Sequence, residues 1–490
     1  MTHLRVLLLR SVVPCLLGAA AAATLVSRDA TGAEPAFVRV SPRDPRYFEL
    51  SDGRPYVPVG LNLAVSPTGV KLGISRVPEL PDYERWFKRL AENRGNYARV
   101  WISSGTFDVE HTHSGRYDAE RALRIDRLLE LARRYGIRLK LCLEHFRHIG
   151  DGPQPHFAKK LHHVSQGGPA QKTADFFDSP ACREQFKRKL AWYRDRYRDD
   201  PILFGWELWN EMNCIAGGDW ADWSQVMLGD LHRLFPKNLA MQSLGSFDNA
   251  VYRDRLYRRL CFLPGNDVLQ VHRYLDLGAR LEVCHGPVDV LAADAVRELL
   301  AFGVRKPILL AESGAVERSH SGPFKLYQKD RAGIILHDVL FAPFFTGAAG
   351  PGHIWHWDVY VDRMNLWHHF TRFAKAIEGI DPAAEQFQPV MVPHDGLRVL
   401  ALRGQKTLLV WCRDTQNTWQ TELAEGQSPE PIHGATLDLG GVLAGASPRS
   451  ASVYDPWEDR RADLRLDGPR APLPDFSRSL VVKVVLAAAR

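Results

Sequence analysis

Beyond residue 33 the sequence has no run long and apolar enough to cross a bilayer, which excludes a chain of several membrane spans. It has no basic tail or stripe. Its 63 Lys and Arg are dispersed among 57 Asp and Glu, so the formal charge of +6 argues against a nucleic-acid partner. No Cys-x-x-Cys pair suggests zinc. The seven cysteines show no compact disulfide framework, and Cys15 lies in the N-terminal apolar run. Internal repeats and low-complexity tracts are absent, which removes solenoids and disordered tails.

What is present is enough for one large unit and a smaller one: 490 residues with an ordinary apolar share. Arg5 and Arg10 precede or interrupt an apolar stretch that runs through Leu16 and Leu17 to the alanines ending at Ala23. Small residues follow, with a further cleavage site at Thr31-Gly32-Ala33. This reads as a secretory signal peptide over residues 1–33, hence a secreted or periplasmic protein with no membrane contact in its mature form.

Short apolar strands then alternate with longer amphipathic segments. Strands are expected at Val57–Leu61, Tyr97–Ile102, Arg138–Leu143, Leu203–Leu208, Leu239–Ser243, Val268–His272, Ile308–Ala311 and His353–Trp357. Helices are expected over Asp82–Asn93, Ile125–Tyr135 and Gln185–Tyr197, where apolar residues recur at helical spacing. Eight strand–helix alternations predict an α/β protein, a (β/α)8 TIM barrel over residues 34–385. An open doubly wound sheet is disfavoured, because no Gly-rich phosphate loop follows the first strand. After Asp381 the period changes to two. Leu397, Val399 and Ala401 alternate, Arg403–Lys406 reads as a turn and Leu408–Trp411 as a returning strand. A small C-terminal β-sandwich over residues 386–490 is the expectation.

Two strands end on a glutamate. Phe204-Gly205-Trp206-Glu207-Leu208-Trp209-Asn210 leads into Glu211, and Ile308-Leu309-Leu310-Ala311 leads into Glu312. Barrel chemistry takes place at the C-terminal ends of strands, and the fourth and seventh strands face one another across the mouth. Cleavage of a glycosidic bond requires one carboxyl that protonates the leaving oxygen and a second that attacks C1 or activates water. Glu207 lies inside its strand, so barrel packing or a buried ion pair is its expected role.

With these residues in view, the chain resembles the retaining β-glycosidases typified by glycoside hydrolase family 5, the cellulase and β-mannanase family. The resemblance spans roughly residues 40–385. It is carried by Asn210-Glu211 and Ala311-Glu312, supported by Tyr97-Ala98-Arg99-Val100-Trp101, Glu144-His145, His272-Arg273-Tyr274 and Ile354-Trp355-His356-Trp357. It implies that Glu211 is the general acid/base and Glu312 the nucleophile. It implies that Asn210 holds the substrate 2-hydroxyl, that Arg99 keeps Glu312 ionised from the barrel floor, and that Tyr274 donates a hydrogen bond to it. His145 and His272 would line the reacting subsite, and Trp355 or Trp357 would form the sugar platform. Asn62, at the end of the first strand, is a further candidate for a sugar contact. The acid's pKa is expected to be raised.

The implied function is hydrolysis of β-linked glycans, β-mannan or β-glucan, by a monomer whose partner is its carbohydrate substrate. No cofactor and no metal are expected. An exo-acting β-glycosidase or transglycosylase stays open, as does a non-catalytic carbohydrate-binding barrel. The presence of both glutamates with Arg99 and Tyr274 counts against the binder. The segment from His145 to Pro180 is long and histidine-rich (His148, His156, His162, His163) and is expected to overhang the cleft.

Overall fold

A computed structural model describes residues 36–487 apart from 65–77, 104, 146–160, 216–217, 247–252, 319 and 321. The expected signal peptide, Cys15, His148 and His156 lie outside the described residues. A short antiparallel lid comes first, with strands β1 (Val38–Val40), β2 (Phe48–Leu50) and β3 (Pro55–Tyr56). The barrel follows. Strands β4 (Gly60–Asn62), β5 (Tyr97–Trp101), β6 (Arg138–His145), β7 (Leu203–Asn210) and β8 (Leu239–Met241) pair in parallel, in that order. Strands β9 (Leu269–Asp276) and β10 (Ile308–Val316) form a second parallel pair. The Asp267 amide donates to Ala240 O at 3.0 Å, which links the two sets.

The eighth position is a single parallel bridge, Ser313 to Ile354. The Asn62 amide donates to Ile354 O at 3.2 Å and closes the ring. The expected strand His353–Trp357 is thus cut short. The Trp357 amide folds back to Trp355 O at 3.0 Å, and a π-helical turn runs from Trp357 to Asp362. The first strand begins later than expected, at Gly60, because Pro58 has no amide to give the ladder.

The outer helices follow their apolar stripes. Leu80–Glu92 buries Tyr83, Trp86, Phe87 and Leu90. Ala119–Tyr135 begins six residues before the expected start because Asp118 accepts from the amides of Glu120 and Arg121; Gly136 at φ 69° ends it. Pro180 opens the helix Pro180–Tyr197, a position where its missing N–H costs nothing.

Beyond the barrel, strands β11 (Gln388–Val392), β12 (Leu397–Arg403), β13 (Thr407–Asp414), β18 (Ser479–Leu486), β15 (Pro448–Asp455) and β16 (Arg460–Asp463) form one antiparallel sheet. Alternation by two gives it a buried row on each side. Val399, Val410, Cys412 and Val482 pack with Leu437 and Ala471 of the ribbon β14–β17 (Thr436–Asp438 and Arg470–Pro472). Leu402, Leu409, Trp411 and Val481 join the barrel's own core. On that side lies the helix Ile334–Phe345, buried at all 12 positions. Among the described residues no helix is long and apolar enough to cross a membrane.

Candidate active site

Glu211 stands one residue past the end of β7, in left-handed backbone geometry at φ 52° and ψ 55°. A β-carbon is disfavoured there, so surrounding contacts must hold the turn. Its amide donates to Ser243 Oγ at 3.1 Å, and the Met212 amide donates to Ser243 O at 3.3 Å. Glu312 lies within β10, just past a register shift between Leu310 and Glu312. The bulge at Ala311 sets Glu312 opposite His272 of β9. The two devices turn both carboxylates into one pocket: with His272 between them, oxygens of Glu211 and Glu312 lie within 4.8 Å of each other.

Arg99 of β5 organises the floor. Its Nε donates to Glu207 at 2.6 Å, and its Nη2 to Glu207 at 2.9 Å and to Asn210 Oδ1 at 2.6 Å. Its Nη1 donates to Glu312 and, at 3.3 Å, to Asn62 Oδ1. All five guanidinium N–H groups are therefore used, which a lysine could not reproduce. Burial alone would raise the Glu207 carboxyl, but Arg99 and Lys140 outweigh it and bring it down to about 2. The same burial pulls Lys140 down to about 8. Glu207 is thus the buried ion pair that its position inside the strand suggested.

Tyr274 OH donates to Glu312 Oε2 at 2.7 Å, and burial pushes that phenol well above its ordinary value. His272 Nδ1 lies 2.8 Å from Glu211 and 3.5 Å from Glu312. Here one expectation is corrected. Burial raises the Glu211 carboxyl, but the His272 hydrogen bond and charge overrule it, so the group sits below its usual range. The pKa of Glu211, expected to be raised, is depressed in this cleft.

An aromatic wall adjoins these groups. Trp101 stacks on His145 at 4.9 Å and tilts against Trp355 at 5.1 Å. His145 is fixed by Ser103 Oγ at 2.8 Å from its Nδ1. Trp355 is partly exposed, whereas Trp357 is buried and packs edge-on against Trp86 at 5.8 Å. Trp357 is therefore a packing residue, because the π-helical turn takes it off the cleft face. Asn62 is corrected as well. It is fully buried, and its Nδ2 donates to the carbonyls of Ala311, His353 and Ile354 at 3.0, 3.2 and 3.2 Å. It seals the barrel seam and presents nothing to a sugar.

Ser103 and Ser243 line this region without having been singled out by the sequence reading, and Trp101 was named there only within a motif and given no role. All three stand at or just beyond the C-terminal ends of strands, the position that singled out the glutamates. Among the described residues two side-chain groups have spacing compatible with a metal ion: Glu211, His272 and Glu312 in the cleft, and the buried set Glu110, Glu144 and His162. In the second, the Lys189 ammonium bridges Glu110 at 3.0 Å and Glu144, so a cation is already built in.

Known proteins resemble this chain over most of the barrel. Mannan endo-1,4-beta-mannosidase 5 of Arabidopsis thaliana is 24% identical over 307 residues, 55% of this chain and 68% of that protein. A solved structure described as a glycoside hydrolase superposes with a TM-score of 0.57 at 14% identity, covering 92% of this chain and 97% of the other. A glycoside hydrolase family 5 structure from Bacteroides vulgatus gives 0.55 at 14% identity, covering 92% and 93%. At such identity these superpositions speak to the fold, which is the (β/α)8 barrel. No family model matches the sequence. The resemblance to glycoside hydrolase family 5 stands on the plant relatives together with this fold.

Proposed function

We propose that this chain, built like glycoside hydrolase family 5, is a retaining β-mannan hydrolase with Glu312 as nucleophile and Glu211 as general acid/base. The observation that carries the reading is the spacing: carboxylate oxygens within 4.8 Å leave no room for a water between the second carboxylate and C1, and a gap near 5 Å is the retaining arrangement. In the first step Glu312 attacks C1 while Glu211 gives its proton to the glycosidic oxygen, and the C1–O bond breaks. In the second, water attacks C1, Glu211 takes the water's proton, and the Glu312–sugar ester is cleaved.

The neighbours divide the roles. Arg99 and Tyr274 both donate to Glu312, which favours a carboxylate poised to attack. The Glu211 carboxylate lies 2.8 Å from His272 Nδ1 and its backbone amide is held by Ser243, and its ionised form suits the second step. The first step needs the proton. A glycosidic oxygen entering between Glu211 and His272 displaces their hydrogen bond, and burial, which raises the carboxyl, then takes over. Asn210, held by Arg99, is read as the partner of the 2-hydroxyl, and Trp355 with Trp101 and His145 as the sugar platform.

Mannan is favoured among β-glycans because the curated relative named above is a mannan endo-1,4-beta-mannosidase. We read residues 1–33 as an export signal, 34–385 as the catalytic barrel and 386–490 as an accessory β-sandwich. The ribbon β14–β17 laid on one face of the six-stranded sheet supports the last reading.

The test is turnover on β-mannan within a panel of soluble β-glycans, with NMR of the first-formed anomer. Retained β-configuration and a loss of at least about a thousandfold in Glu312→Gln are expected. Inverted product, undiminished Glu312→Gln, or a wild type that cleaves nothing in the panel would overturn the reading.

A further inference from the structure

His320 lies beyond the seventh strand, at the tip of a tight reversal. The Glu317 amide donates to Gly322 O at 3.3 Å, the His320 amide donates to Glu317 O at 2.8 Å, and Val316 bridges Pro323. Its backbone is left-handed at φ 53°, an unfavourable conformation for a residue with a β-carbon. The side chain is tied down as firmly. Asp276, 1% exposed at the end of β9, accepts from His320 Nδ1 at 2.9 Å and from the Gly278 amide at 2.8 Å. Gly278 belongs to the same clasp, because a β-carbon there would strike Arg318 O at 1.9 Å. A strained backbone held by a buried carboxylate is a costly way to present an imidazole, and such strain persists where position matters.

What is presented faces the cleft. The His320 ring meets Tyr274 edge-on at 5.7 Å, and Tyr274 is the residue that donates to Glu312. In its charged form His320 also lies close enough to lower Glu211. The side chain is 40% exposed. Asp276 as a hydrogen-bond acceptor fixes the proton on Nδ1, which leaves Nε2 an acceptor with no partner among the described residues. The ring of strands supplies the direction. Trp101 and His145 end the second and third strands, whereas Tyr274 and His320 belong to the sixth and seventh, diametrically across an eight-membered barrel.

We propose that His320, clasped by Asp276, is a leaving-group-side binding residue whose Nε2 accepts a hydrogen bond from a hydroxyl of the departing sugar. The inference rests on the hydrolase reading above: if the attacked sugar lies on the Trp101–His145 stack, the leaving group extends away from it, toward the sixth and seventh strands. Asp276 acts through His320 and is a positioning residue.

The experiment compares two substrates with the same two-sugar donor, taken from whichever β-glycan the wild type cleaves in the panel. One is the aryl glycobioside, whose leaving group has no hydroxyl; the other is the tetrasaccharide. His320→Ala is expected to lower kcat/KM on the tetrasaccharide about tenfold, the worth of one hydrogen bond, with the aryl substrate held within about twofold. His320→Gln, which keeps a polar tip, is expected to recover part of the loss. Equal losses on both substrates, or no loss on the tetrasaccharide, would overturn the proposal while leaving the hydrolase reading intact. A wild type inactive on every glycan would overturn both.

Discussion

Glu211 and Glu312 carry the same functional group, and their surroundings separate what they can do. Glu312 receives hydrogen bonds from Arg99 and Tyr274, both fully or almost fully buried. In Tyr274→Phe the phenyl ring keeps its packing but the donor is lost. We expect kcat/KM to fall by about ten- to a hundredfold with thermal stability nearly unchanged, since a hydrogen bond to a charged group is worth roughly 1.5–3 kcal/mol. Steady-state kinetics beside a melting curve checks this. Glu211→Ala should show a different signature. Without a proton donor the first step must depend on the leaving group. Aryl glycosides with strongly acidic phenols should react nearly as fast as in the wild type at that step, while alkyl and sugar leaving groups should slow by about a hundredfold or more. A loss that is uniform across leaving groups would assign Glu211 a role other than acid.

At the scale of elements, the strand ends were legible and the irregularities were not. Apolar runs closing on Asn210-Glu211 and Ala311-Glu312 identify both carboxylates, because a buried parallel strand is largely apolar and a polar residue at its C-terminal end marks the mouth, whereas Glu207 within its strand is absorbed by an ion pair. Periodicity cannot reveal the bulge at Ala311 or the left-handed turn at Glu211, since both depend on contacts from neighbouring strands. The eighth strand misled for the same reason. His353–Trp357 has the composition of a strand, yet only Ile354 pairs, so the spacing of two between Trp355 and Trp357 does not give them a common face. Ser243 shows what such contacts do. It lies beyond β8, accepts the Glu211 amide at 3.1 Å and fixes an unfavourable φ. Ser243→Ala should cost about 1 kcal/mol of stability, and it should lower kcat more than it changes KM, because Glu211 is moved and the Trp101–Trp355 wall is not. Unaltered kcat would show that the turn holds itself.

The whole molecule couples barrel and C-terminal sheet through one shared core. From Ala36 onward the chain is a single compact unit. The helix Ile334–Phe345 is covered by both parts, and its Asp338 pairs with Arg413 of β13, both buried. Removing residues 386–490 would bare an apolar helix on one side and strand Asp338. That truncation is expected to be insoluble, and the intact chain to unfold in one calorimetric transition rather than two. Arg413→Ala isolates the polar part of the seam, with an expected loss of about 3 kcal/mol, the cost of leaving one member of a buried ion pair alone. The interior also sets opposing responses to pH. Glu207 titrates near 2 in the fold, below an unfolded glutamate, so its contribution is complete above about pH 4.5 and is lost as pH falls toward 2. Burial and the facing Glu110 push Glu144 up to about 7 despite Lys189, so the fold binds the proton more tightly than the unfolded chain does. Its contribution is full below about pH 4.5 and is lost as pH rises through 7. Glu144→Gln should therefore flatten the decline in stability between pH 5 and pH 8 while leaving the acid limb in place. Denaturant melts of the variant and the wild type across that range would decide it: parallel curves would mean that Glu144 is ionised throughout, with Lys189 holding it down.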